Sequence, residues 1–252
     1  VFLGILYSIL FWIATLVLVI GVANKVRLYW NTPSPLKIPT MPAPRTQKGV
    51  VLRMAREVFL FQSLYRADKL LWVISIVFHY CILLIVLRHL RYFLDPVWGI
   101  IGFIQPFGLY AGFGFVLCLV ALLARRFLID RVRYISAPSD FLMLVLFIVI
   151  GVSGLMMKFV NPTDIVMVKS FFQGLKYFSW QPLPADFTLL LHLTSVVFLM
   201  IIFPISKLMH APGVFFSPSR NQVDNSREQR HIAPWAAELD KQGVDYLSEL
   251  KK

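Results

Sequence analysis

Five histidines occur in the chain, His79, His89, His192, His210 and His231, and the first four fall in or at the ends of only two apolar stretches. An imidazole in lipid is costly, and where it is kept it serves as a ligand, a proton relay or a cofactor contact. One such histidine is compatible with hydrogen-bonded packing; four on two stretches point to ligation. Haem b suits the arrangement, because imidazoles from two facing helices clamp one iron from both sides while the porphyrin fills the apolar space between them. There is no CxxCH attachment motif. Cys81 and Cys118, both in apolar runs, build neither a disulfide framework nor an Fe–S or zinc cluster. A redox metal is then held through histidine or by another chain.

Neighbouring residues extend the pattern. Ser75, Thr188 and Ser206 each stand four positions before His79, His192 and His210, on the same helix face. There a hydroxyl, or the carbonyl beside it, accepts the free imidazole N–H and fixes the ligating tautomer; the competing reading is a hydroxyl bonded back to its own helix. His89 has Ile85 at that position and lacks the hydroxyl. Arg88 and Arg91 flank His89, where they either neutralise haem propionates or snorkel to headgroups. Gly112, Gly114, Gly151 and Gly154 allow close approach of helices or of a porphyrin, with plain helix packing as the default.

The elements that must position these residues are membrane spans. Of 252 residues, 58% are apolar and 15% charged, which excludes an ordinary soluble domain. Val1 to Ala23, Leu70 to Leu87, Pro96 to Ala124, Phe141 to Met157 and Phe187 to Ser206 are uncharged and approach or exceed the length of a hydrocarbon crossing. The second and fourth are short and are expected to extend into their polar flanks. The first lacks a basic n-region and a small-residue cleavage site, so it reads as a span rather than a signal peptide. The expected fold is an all-α integral membrane bundle of five transmembrane helices, with the termini on opposite sides. Twenty of the 25 Lys/Arg fall in residues 24–69, 125–133 and 207–252, whereas Arg88, Arg91, Lys158, Lys169 and Lys176 lie on the other side. By the positive-inside rule the N-terminus is outside and the C-terminus cytoplasmic. The net charge of +12 thereby reads as an orientation signal and not as nucleic-acid binding.

Residues 1–212 form the expected membrane domain and residues 213–252 a polar cytoplasmic docking tail with Trp235 as its large anchor. Residues 31–48 are proline-rich and basic, an extended cytoplasmic arm suited to a partner. Residues 161–185 interleave Phe171, Phe172, Tyr177, Phe178 and Trp180 with Lys169 and Lys176, either as a helix lying in the interface or as an aromatic belt. The second and fifth spans run antiparallel, which sets His89 opposite His192 near the outer face and His79 opposite His210 nearer the cytoplasm. The rise of about 1.5 Å per residue separates His79 from His89 by about 15 Å along one helix, and His192 from His210 by about 27 Å along the other. Tilt, inclined haem planes and a bend at Pro204 must absorb the difference.

Two histidines ten apart on the second of five helices and two eighteen apart on the fifth resemble the haem b subunit of respiratory nitrate reductase, the gamma subunit, over about residues 65–212. That resemblance implies two haem b groups with His79 and His210 on one and His89 and His192 on the other. The arm KIPTMPAP and the tail GVFFSPSRNQVDN further resemble the DsrM family, membrane cytochrome b subunits of sulfite-reductase-associated transmembrane complexes. This implies electron exchange with a quinone, menaquinone or ubiquinone, and a cytoplasmic Fe–S subunit like heterodisulfide reductase. It also implies a periplasmic multihaem cytochrome c, further membrane and Fe–S subunits, a role in sulfur metabolism and residence in the cytoplasmic membrane. The quinone-site lysine of the nitrate reductase family has no counterpart here, and Gln105 occupies that region.

Taken together these readings describe an electron relay whose only enzymatic chemistry is quinone oxidoreduction as part of an oxidoreductase complex. The alternatives are a gamma-type cytochrome b of another respiratory complex, a histidine-based proton or ion transporter, and a structural anchor. A transporter is disfavoured because Asp68, Asp95, Asp140, Asp164 and Asp186 all lie near span ends.

Overall fold

Long apolar runs have no water to satisfy their backbone groups in hydrocarbon, so each closes its hydrogen bonds within itself as a helix. The computed structural model describes residues 1–33 and 38–225 together with 237–238 and 241–242, and among these it is all-helical. Part of the arm (34–37), and His231 and Trp235 of the tail, lie outside the described residues. In chain order the helices are α1 (Phe2–Asn31), α2 (Gln47–Leu60), α3 (Gln62–Ala67), α4 (Lys69–His89), α5 (Gly99–Leu128), α6 (Asp130–Tyr134), α7 (Pro138–Phe159), α8 (Ile165–Lys176), α9 (Phe187–Ile202) and α10 (His210–Gly213). Five of them are long and apolar enough to cross a membrane: Phe2–Asn31, Lys69–Tyr92, Gly99–Leu128, Pro138–Phe159 and Phe187–Ile205. All five expected spans are therefore present, and the second and fourth do gain polar flanking turns, reaching 24 and 22 residues.

Local chemistry sets the helix ends. Asp68 caps α4 by accepting from Leu71 N at 2.9 Å, and Asp164 caps α8 by accepting from Val166 and Met167 N. Pro204 removes a backbone donor, so α9 passes into a short 3₁₀ turn at Phe203–Ile205 instead of continuing as α-helix.

The chain divides into two compact units, one made of Val1–Ala23 and Ser63–Leu208, the other of Asn24–Gln62 and the chain from Met209 onward. In the first unit, α1, α8 and α9 share a core of Tyr7, Phe11, Ala14, Phe171, Leu189 and Leu193. The Tyr7 hydroxyl lies 2.7 Å from Thr194 Oγ1 and donates to Leu190 O at 3.2 Å, and Trp12 Nε1 donates to Leu175 O. A second core joins α4, α5, α7 and α9 around Phe115, Leu119 and Phe147, with Phe78 stacked on Phe115. Glycines permit these approaches: a Cβ at Gly151 would lie 2.7 Å from Val116 Cγ2, and one at Gly112 2.8 Å from Leu155 Cδ2. One end of this unit is tied by ions. Asp140, 6% exposed, pairs with Lys207 at 2.7 Å and Arg126 at 3.5 Å.

In the second unit, the Thr46 hydroxyl caps α2, Arg220 pairs with Glu57 at 3.2 Å, and Phe216 packs on Tyr29 and Trp30. The described part of the arm is held by backbone bonds from Thr40 N to Ser219 O and from Asp224 N to Pro44 O. The residues that follow α10 thus clasp an arm whose sequence reads as an extended docking segment.

Candidate functional site

His89 closes the last turn of α4, and His192 sits in the second turn of α9. The structure brings them together: their ring centroids are 6.4 Å apart and their planes differ by 7°. Each ring is turned by a hydrogen bond at Nδ1. His89 Nδ1 lies 2.6 Å from the carbonyl of Ile85, one turn back on its own helix. His192 Nδ1 lies 3.0 Å from the Ile150 carbonyl and 3.0 Å from Ser153 Oγ, both on α7. A carbonyl only accepts, so Nδ1 carries the proton in both rings and Nε2 carries the lone pair. That is the tautomer a metal ligand needs.

The spacing fits one metal between two imidazoles. A metal–imidazole bond of about 2.0–2.1 Å, added on each side to about 1.1 Å from nitrogen to ring centre, puts the two ring centres about 6.3 Å apart. Among the described residues no three His, Cys, Asp or Glu side chains cluster to hold a bare ion. A two-imidazole site therefore suits a metal that arrives with its own equatorial ligands, which is what haem iron is.

Surrounding elements hold this end of the unit together. His192 is buried, and its neighbour Gly154 presents no side chain to it: a Cβ there would meet His192 Cε1 at 3.4 Å. Beyond His89 the chain makes a 3₁₀ turn, Leu90–Tyr92, on which α8 is latched. Gln173 Nε2 donates to Tyr92 O at 3.1 Å, Lys176 Nζ to Phe93 O at 3.0 Å, and Lys169 pairs with Asp95 at 3.0 Å. The aromatics of α8 and of the residues just after it are divided in use. Phe171 and Phe172 are buried in the core, whereas Tyr177 and Phe178 are exposed.

Arg88 and Arg91 both reach α5. The Arg88 guanidinium donates to the Gln105 backbone carbonyl, and Arg91 Nη1 donates to Gln105 Oε1 at 3.2 Å while its guanidinium lies over the Tyr92 ring. Gln105 Nε2 returns bonds to the Ile101 and Arg88 carbonyls. The two cations and one amide thus form a polar knot beside His89, and the close approach is allowed at Gly108, where a Cβ would meet Leu84 O at 2.7 Å and Arg88 Cβ at 2.8 Å.

His79 lies in the middle of α4 with Nδ1 2.7 Å from Ser75 O. Here the carbonyl, not the hydroxyl, at the fourth position back is the partner. His210 opens α10 and belongs to the second unit. Two expected hydroxyl partners act differently. Ser206 Oγ donates to Phe203 O and accepts from Leu208 N, because the helix is already broken at Pro204 and a four-residue spacing no longer marks one face. The partner of His192 comes from α7 and not from Thr188. Ser153, a hydrogen-bond partner of His192, is not singled out from the sequence. Its one signal is a hydroxyl between Gly151 and Gly154 in an otherwise apolar span.

Residues 48–225 match the nitrate reductase gamma subunit family. The chain is 33% identical to the Hdr-like menaquinol oxidoreductase cytochrome b-like subunit of Archaeoglobus fulgidus, over 92% of this chain and 84% of that protein. It is also 33% identical to the subunit of the same description from Archaeoglobus profundus, over 87% of this chain and 79% of that protein.

Proposed function

The chain belongs to the nitrate reductase gamma subunit family, as a multi-pass membrane cytochrome b, and on that premise we propose that it binds two haem b groups and relays electrons across the membrane. The observation that carries the proposal is the His89–His192 pair, at metal-bridging separation with both Nδ1 protons engaged elsewhere. Haem held there supplies one-electron chemistry. Two imidazoles on one iron leave no open coordination position, so the relay passes electrons without activating a small molecule.

His79 and His210 are the ligands of the second group in this reading, supported for His79 by the same Nδ1-to-carbonyl arrangement. Ten residues along α4 set the two ligands on that helix about 15 Å apart in rise. A relay over this distance along the bilayer normal crosses about half of a hydrocarbon core of about 30 Å, and so works with or against about half of the roughly 2.3 kcal/mol per charge that a full 100 mV crossing involves. Arg88 and Arg91 provide positive charge beside His89 for propionates, with Gln105 holding both guanidinium groups in place.

Menaquinol is the substrate class we propose, since both relatives are described as subunits of menaquinol oxidoreductases. The oxidation site lies at the His89 end, which the basic-residue distribution puts outside, with the C-terminus cytoplasmic. The partners in this reading are a cytoplasmic Fe–S subunit like heterodisulfide reductase, a periplasmic multihaem cytochrome c and further membrane and Fe–S subunits, serving sulfur metabolism. A pyridine haemochrome assay on the purified protein is expected to give two haem b per chain. A colourless, folded preparation overturns the proposal.

A further inference from the structure

The two imidazoles at the site are steered by different means. His89 is held by a carbonyl of its own helix, a bond that any sequence supplies. His192 is held from outside its helix, by the Ile150 carbonyl and the Ser153 hydroxyl of α7. Ser153 is 2% exposed, and its Oγ lies 2.6 Å from Val149 O and 3.1 Å from Ile150 O. The hydroxyl proton is thereby committed to the α7 backbone, as is usual for serine in a membrane helix. What Oγ turns toward His192 is a lone pair, so it accepts from Nδ1–H in parallel with the Ile150 carbonyl.

We propose that Ser153 is a positioning residue that sets the reduction potential of the haem held by His89 and His192, by sharing the Nδ1 proton of His192. This inference rests on the haem reading of that pair. A second acceptor on Nδ1–H makes the ring a stronger electron donor at Nε2 and favours ferric over ferrous iron, which lowers the potential. Partners of this kind change metal affinity or activity by about 10–100-fold when removed. Here the Ile150 carbonyl remains after Ser153 is truncated, so the lower end applies. A tenfold loss of ferric preference is a rise of about 59 mV for a one-electron couple.

The test is an optical redox titration of the purified holoprotein as wild type, S153A, S153T and H192A, with the two haems resolved by their midpoints. S153A is expected to keep both haems, to raise one midpoint by about 59 mV and to leave the other unchanged. S153T keeps the oxygen and is expected to retain the wild-type midpoint. H192A, which loses one haem in this account, identifies the transition that moves. The inference is overturned if both haems are present and S153A leaves both midpoints unchanged, if it shifts both equally, or if S153T shifts as far as S153A. If H192A retains both haem spectra, the haem reading of the pair fails, and this inference with it. The first results refute only the role of Ser153.

Discussion

Two glycines one helical turn apart on α7 face different neighbours, and replacing each by alanine separates helix packing from the site. At Gly154 the new methyl group would sit 3.4 Å from His192 Cε1 and 3.7 Å from Nδ1, ordinary van der Waals contact. Nothing then opposes the gain in helix propensity, at most about 1 kcal/mol. At Gly151 the methyl would sit 2.7 Å from Val116 Cγ2 and 3.1 Å from the Phe115 ring, inside the second core. That overpacking costs about 1–3 kcal/mol, which cancels the propensity gain or exceeds it. G154A is therefore expected to be more stable than G151A by about 1–3 kcal/mol, or roughly 2–12 °C in Tm for a chain of this size. The assay is thermal unfolding of the holoprotein in detergent, followed by circular dichroism and haem absorbance together. G154A should keep its full haem content. Loss of a haem in G154A, or G151A proving the more stable of the two, would refute the geometry assigned to the α7 face.

Two further perturbations bear on the frame around the site. Truncating Asp140 in D140A removes the carboxylate shared by Lys207 and Arg126 and the bond from Ala137 N. Because Lys207 is 74% exposed and can regain water, the loss should be about 2–3 kcal/mol, below the usual cost of breaking a buried pair. D140N, able to keep the bond from Ala137 N, should lose less, as read by denaturation midpoints in detergent. Y7F removes the hydroxyl bonds that join α1 to Leu190 and Thr194 on α9 and is expected to cost about 0.5–1.5 kcal/mol with haem content unchanged.

What the sequence makes legible here follows from how local each determinant is. Span positions are readable because hydropathy over twenty residues is a property of the segment alone, and the five helices match the five apolar runs. The Nδ1 partner of His79 is also local, being the carbonyl four residues back, and the same holds for His89 and Ile85. The Ile85 case shows that the carbonyl suffices and the hydroxyl is dispensable. The partners of His192 are not local, since they come from α7 across a helix–helix contact that no spacing within α9 reports. Ser206 shows the opposite limit, a helical spacing rule applied where Pro204 had already ended the helix. The buried Phe171 and Phe172 of α8 read from sequence as interfacial aromatics because burial against α1 is a tertiary property.

The central claim is that His89 and His192 hold one haem iron between them. The most direct measurement is the haem b content of H192A beside wild type, by pyridine haemochrome and reduced-minus-oxidised spectra of protein purified in the same detergent. Two haems per chain are expected in the wild type and one in H192A, with the remaining haem spectrally intact. Two haems in H192A, or none in a folded wild type, would contradict it.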